Sequence, residues 1–405
     1  MRLYYYLIFT ASFFNKKARL WINGRKNIFK KIEDFNLQNT TNIWFHVSSL
    51  GEFEQGRPII EQIKNNFPEF KIVLTFFSPS GYEIRKNYKF ADYILYLPLD
   101  TKKNATKFIS IINPKAVFFV KYDIWFHYLN TLFIKSTPTF LISAIFRQNQ
   151  IFFRWYGKWY KKALSFFTKI YVQNQFSLDL LLKNNVTNAV IAGDTRLDRV
   201  FDIPKAANKY NIIDKFRNNK LCIVCGSTWE IDEKILTTFL NSTKHQIKFV
   251  IAPHEIHKQH LEKLILMLNK SYILYSKAEN EDIVNYDILI IDNIGMLSSI
   301  YQYADIAYIG GGFGNGIHNI LEPAAWGIPI VFGPKYNKFQ EAVDLIKLKA
   351  AYSISNRNDF FNIITKLISE VDFRNECGQI AEKYIIDNKG ASHLIFSEFI
   401  KLQNK

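Results

Sequence analysis

Five glycines fall within the seven residues Gly310 to Gly316, and His318, Asn319 and Glu322 follow them. Glycines let backbone N–H groups approach an anion, and a helix start offers unpaired donors and a positive dipole end. A helix is predicted from His318 or Asn319, with Glu322 one turn inside it. The three polar side chains exceed what a plain turn requires, so the stretch reads as a phosphate or nucleotide site in which Gly311, Gly312, His318, Asn319 and Glu322 take part. Two acids could act as bases. Glu52 stands in SSLGE, where a strand turns into a helix, and a carboxylate there can deprotonate a hydroxyl within its reach. The plainer reading of Glu52 is a helix-start acid favoured by the dipole. Asp123, in FFVKYDIWF, follows the predicted strand at 116–120, so both acids sit at strand ends of one sheet. Ser227 and Thr228 in GSTW, and Pro253 with His254 after FVIA, offer hydroxyls, backbone and imidazole to a donor; Ser and Thr there also fit ordinary caps. Neither an Asp-x-Asp nor a His/Cys cluster accompanies them. No metal or other cofactor is therefore expected, and the charge of a leaving phosphate falls to backbone and dipole.

At 405 residues and 48% hydrophobic content, the chain has material for two domains with a core each. Cys222, Cys225 and Cys377 provide no disulfide framework. The C-x-x-C of the first two lies in LCIVC, which reads as buried strand. The formal charge is +16, and fifteen of those sixteen charges come from two acid-free stretches, 1–32 and 124–178. Both are rich in rings. In the second, Arg147, Arg154, Trp155, Lys158, Trp159, Lys161 and Lys162 interleave cations with aromatics, as suits an anionic membrane surface. Single-stranded nucleic acid is the rival partner for such a pattern.

Positioning these residues takes strands that alternate with helices. TNIWFHVSSLGEFEQGRPIIEQI and KIVLTFFSPSGYEIRKNY each read as strand, turn and helix; YILYLPLD, FLISAIF and IYVQN add strands. The pattern lapses at about 200–220 and restarts with LCIVC, FVIAPHE, ILIIDN, IAYIGG and PIVFGP. The fold class is therefore α/β, with two Rossmann-like domains facing a central cleft and nucleotide bound by the second. The expected division is a membrane-associating segment at 1–32, an acceptor domain at 33–205, a donor domain at 206–385, and a final helix at 386–405 bracing the first domain. Residues 3–14 form an apolar run too short to span a bilayer as a helix, and read as an interfacial anchor.

The motifs KARLWINGRKNIF, HVSSLGEFEQGRPII, FVKYDIW, GDTRLD, GSTWEIDE, APHE, IDNIGMLSSIYQYADIAYIGGGF, HNILEPAAWGIPIVFGP and NKFQEA, in this order, resemble the Kdo transferases of lipopolysaccharide synthesis. The resemblance implies the GT-B glycosyltransferase fold. It also implies inverting transfer of Kdo from CMP-Kdo to a lipid A precursor (lipid IVA) on the cytoplasmic face of the bacterial inner membrane, with no nucleic acid partner. Glu52 matches the family's catalytic glutamate, and Asp123 a position that is usually Glu. Gly312, His318, Asn319 and Glu322 match its donor segment, Glu322 approaching the ribose. The chain departs from the family at Gly316–Ile317–His318, commonly Gly-Gly-His, and at His254–Glu255, often Arg-His. Another GT-B enzyme with a different nucleotide sugar, or a non-catalytic binding module, are the alternatives.

Overall fold

Apolar strands of three to eight residues, separated by helices, build two all-parallel sheets in the computed structural model. It describes residues 2–403, with the side chains of Arg2, Leu3, Gln38, Lys158 and Gln403 outside the description. The chain divides between Asp198 and Arg199 and again between Asn388 and Lys389.

In the first unit the strands are β1 (Asn42–Val47), β2 (Lys71–Phe76), β3 (Tyr93–Tyr96), β4 (Pro114–Val120), β5 (Thr139–Ala144), β6 (Lys169–Val172) and β7 (Ala189–Ile191). Their order is β3-β2-β1-β4-β5-β6-β7. Every residue of β1 is buried, the signature of a parallel strand covered by helices on both faces. Successive side chains serve opposite cores: Trp44 packs with Phe119 and Tyr128, and Phe45 with Phe53 and Phe118. The order reverses at β1 and β4, and in open α/β sheets the carboxyl ends at such a reversal hold the ligand crevice.

The second unit contains β8 (Leu221–Thr228), β9 (Ile247–Pro253), β10 (Tyr272–Leu274), β11 (Ile288–Ile290), β12 (Ile306–Ile309), β13 (Ile330–Phe332) and β14 (Ala351–Ser353). Here the order is β10-β11-β9-β8-β12-β13-β14, with the reversal at β8 and β12. Cys222 and Cys225 are free and buried in β8, where loss of water pushes the Cys222 thiol up to about 12.

Several expectations need correction. The strands β7, β10 and β14 escape a reading of the sequence because each has three residues and all three close a sheet edge. The polar stretch at 200–220 is not irregular. Helices Arg196–Ala206 and Asn211–Arg217 run through it, and only Ile213 and Phe216 mark the buried face of the second. The helix at Arg2–Ala11 has ten residues, and among the described residues no helix is long and apolar enough to cross a membrane. It leaves Tyr6, Leu7 and Phe9 exposed, whereas Ile28 and Ile32 lie in the first unit's core.

The last helix, Ala391–Gln403, belongs to the first unit. Its start is held by Asp198, whose carboxylate accepts from the N–H groups of Gly390 and Ser392. Phe399, fully buried, meets Phe118 with centroids 5.7 Å apart. Phe399→Ala is expected to destabilise the first unit by about 3–5 kcal/mol through a cavity under β4. A urea titration followed by far-ultraviolet circular dichroism reads this as a lower midpoint; an unmoved midpoint would mean the helix does not complete that core.

Candidate functional site

At the reversal of the first sheet, β1 leads into Ser48, Ser49 and the helix Leu50–Asn66, while β4 leads into Lys121, Tyr122 and Asp123. Because β1 and β4 are neighbours, Glu52 and Asp123 come together. Two consecutive serines hold them. Ser48 Oγ donates to Asp123 Oδ1 at 2.7 Å, and Ser49 Oγ donates to Glu52 Oε2 at 2.9 Å. Ser49 is also the N-cap of the helix, so the plain reading of Glu52 as a helix-start acid is true of its position. Both acids are buried.

Burial first, and then the charge of Glu52, raises the pKa of Asp123 well above the ordinary carboxylate range. Beneath it lies His46, fully buried in β1, with Nε2 3.7 Å from Asp123 Oδ2. Neither atom has a hydrogen-bond partner. Thr75 Oγ donates to the Phe45 carbonyl, so at its 2.8 Å contact the His46 Nδ1 must donate. Nε2 then carries a lone pair toward Asp123. Burial, followed by Arg25, lowers the His46 pKa to about 3 and keeps the ring neutral. The arrangement suits a protonated Asp123 between Ser48 and His46.

In the second unit the carboxyl ends of β8 and β9 carry Ser227, Thr228 and Pro253, and the turns after β9 and β12 carry His254 and the glycine loop. Ser227 adopts a left-handed backbone (φ 54°), and Thr228 Oγ donates to Glu233 Oε1, which also meets His260 Nε2 at 2.9 Å. Pro253 ends β9 inside the core, and the exposed His254 donates its N–H to the Thr228 carbonyl at 2.9 Å. Asp232, buried, accepts from the N–H groups of both Trp229 and Gly311 at 2.9 Å and from Tyr308 Oη at 2.7 Å. One carboxylate thereby fastens the two turns to each other. A cavity of about 470 Å³ opens beside them, lined by Trp229, Asp232, Gly311, Asn315, Gly316 and His318 among others. That volume suits a nucleotide-sized ligand.

The glycine loop differs from its expected form in two respects. The helix starts at Leu321, not at His318 or Asn319, with Ile320 as its N-cap and the Leu321 N–H donating to Asn319 Oδ1 at 3.1 Å; it is five residues long and its dipole is correspondingly small. The loop's amides are also largely committed: those of Gly310, Gly311, Gly314, Gly316 and His318 all donate within the protein. Glycine is needed for packing instead. A Cβ on Gly310 would stand 2.2 Å from the Ser227 carbonyl oxygen, and one on Gly312 2.6 Å from Gly333 Cα. Glu322 accepts from Asn319 Nδ2 at 2.9 Å, and burial raises its pKa against the pull of Asn319 and Arg199.

The basic aromatic stretch follows β5, at the same carboxyl edge as Glu52, in short turns and the helix Lys158–Leu164. Trp155 is 84% exposed and Trp159 49%, the latter stacked on Phe126 at 3.9 Å. Arg154 Nε donates to the Asn149 carbonyl and Lys161 to Asn184 Oδ1; Lys162 is exposed, Arg147 bonds through its N–H to Gln150, and the side chain of Lys158 lies outside the described residues. Sequence reasoning missed Ser48, Ser49, His46, Asp232 and Trp229. The serine pair beside Glu52 was the available signal; the others depend on contacts between distant segments.

Residues 23–199 match the family model described as 3-deoxy-D-manno-octulosonic-acid transferase (kdotransferase). A 3-deoxy-D-manno-octulosonic acid transferase of Aquifex aeolicus is 28% identical over 81% of this chain and 86% of its own length. One from Rickettsia typhi is 26% identical over 81% of this chain and 72% of its own. Among solved structures, UDP-GlcNAc 2-epimerase from Neisseria meningitidis superposes with a TM-score of 0.64 over 89% of this chain and 100% of that one, at 15% identity. At that identity the likeness is one of fold: two parallel sheets flanked by helices, as in GT-B proteins. By the family model over residues 23–199 and by relatives aligned across most of its length, the chain is similar to the Kdo transferases and is a glycosyltransferase.

Proposed function

We propose that the chain transfers Kdo from CMP-Kdo to a hydroxyl of a lipid A precursor, with inversion, at the cytoplasmic face of the bacterial inner membrane. The observation that carries the chemistry is the pair of buried acids held by consecutive serines at the reversal of the first sheet. With Ser49 on Oε2, Glu52 has Oε1 to take the acceptor's proton. The freed oxygen attacks the anomeric carbon as the bond from that carbon to the phosphate oxygen breaks, and cytidine monophosphate leaves. Asp123 acts as a neutral acid beside Glu52. Two anions that close cannot both be ionised at little cost, and the more deeply desolvated one keeps the proton.

The cavity of the second unit is assigned to the donor. Gly311 and His318 line the cavity, and the other residues assigned to the donor, Ser227, Thr228, Pro253, His254, Gly312, Asn319 and Glu322, stand on the turns, strand ends and helix start that frame it. Hydroxyls, ring N–H groups and uncommitted backbone would meet the anion in place of a helix dipole. Exposed rings and cations after β5, with Tyr6, Leu7 and Phe9 near the start, support docking on an anionic bilayer that presents the acceptor.

Glu52→Gln should lower kcat by about 10²–10⁴-fold, the range for a general base, with cytidine monophosphate binding unchanged by calorimetry; product mass spectrometry with cytidine- and uridine-linked donors fixes the sugar nucleotide. Near-normal turnover would remove Glu52 from this role. Asp123→Asn tests the neutral acid. A folded-state pKa above the unfolded value means the folded protein binds the proton more tightly, so stability falls as pH rises from the ordinary Asp range toward the raised value. Asn cannot ionise and so escapes this cost. The variant should therefore exceed wild type by about 1–3 kcal/mol at pH 8, the scale of an unsatisfied buried polar group. The gap should close below pH 4 in thermal melts; a variant less stable than wild type at pH 8 would contradict the assignment.

A further inference from the structure

Trp229 and His318, 89 residues apart, meet edge to edge. The indole Nε1–H donates to His318 Nε2 at 2.9 Å, with ring planes within 14° and centroids 6.3 Å apart. His254 lies over both rings, 4.5 Å from each centroid and tilted by 26°. Three turns, after β8, β9 and β12, thus contribute one ring each to a single plate. Trp229 and His318 line the cavity. The Asp232 carboxylate ties the backbone of Trp229 to Gly311, on the loop that carries His318.

An indole N–H can only donate, so the bond assigns Nε2 of His318 as the acceptor. Burial and then His254 lower the pKa of His318 to about 4, and the ring is neutral at working pH. A neutral imidazole whose Nε2 accepts carries its proton on Nδ1. We propose that Trp229 is a positioning residue: it fixes His318 as the Nδ1–H tautomer, so that the ring meets the anionic part of the donor as an uncharged N–H donor of set orientation. This rests on the reading of the cavity as the donor site and adds to it a role for Trp229. Without the indole, His318 could place its proton on either nitrogen, and only one tautomer would offer Nδ1–H to an anion.

The test uses the full-length protein with 15N-labelled histidine rings, His318 being assigned by its loss in His318→Gln. Wild type should show His318 as the Nδ1–H tautomer. Trp229→Phe keeps a ring over His254 but lacks the N–H. It should show mixed tautomers and bind cytidine monophosphate about three- to tenfold more weakly, the worth of one hydrogen bond, with an unchanged far-ultraviolet spectrum. An Nε2–H tautomer in wild type, an unaltered tautomer in Trp229→Phe, or an altered tautomer with unaltered affinity would each overturn the proposal. Failure of wild type to bind cytidine monophosphate would instead sink the donor-site reading, and the ring spectra would still decide whether Trp229 sets the tautomer.

Discussion

Two carboxylates pressed together at the ends of neighbouring parallel strands cannot both carry charge without cost, and the first unit is arranged around that constraint. β1 and β4 are adjacent because the sheet reverses between them, so Glu52 and Asp123, 71 positions apart in the chain, are delivered to one spot. Ser48 and Ser49 then separate their fates. Asp123 is buried against a neutral His46 whose Nε2 lacks a partner, where a protonated acid is better than an ion. Glu52 stays on the first turn of a helix with one oxygen uncommitted to Ser49. The acid pair explains why two serines stand together after β1, and why a fully buried histidine is tolerated in the middle of an apolar strand.

The second unit solves a different problem with the same topology. Its reversal at β8 and β12 brings a polar turn beside a glycine loop, and the Asp232 carboxylate locks the two together through two backbone N–H groups. The rigidity matters because a binding surface built from turns is only as well defined as the bonds that hold the turns. Here the three rings of Trp229, His254 and His318 close over that junction.

Much of this is legible in the chain. Buried parallel strands are continuous apolar runs, so NIWFHV, KIVLTF, LCIVC and FVIAP declare themselves, as does the two-unit α/β plan. Three-residue edge strands do not, since a run that short carries no periodicity. Glu52, Asp123, Gly311 and His318 stand out in the sequence from their places after strands, which is where open sheets keep their ligands, whereas Asp232 and Trp229 beside the cavity do not. The glycine cluster misleads in part. Its spacing looks like an anion cradle, yet Gly310 and Gly312 are there because Ser227 and Gly333 approach too closely for a side chain, contacts that no local pattern reveals. The helix start is expected too early for a related reason: Asn319 turns its side-chain oxygen onto the Leu321 N–H, and His318 and Asn319 both lie in the loop before the helix. His46 and Trp229 owe their roles to partners 77 and 89 residues away and are invisible from sequence.

Infrared difference spectroscopy on the acid pair tests the central claim most directly. A protonated carboxylic acid absorbs apart from a carboxylate, so the wild-type protein at neutral pH should show one carboxylic-acid band that disappears in Asp123→Asn and persists in Glu52→Gln. A band lost in Glu52→Gln and kept in Asp123→Asn would place the proton on the wrong acid and contradict the account.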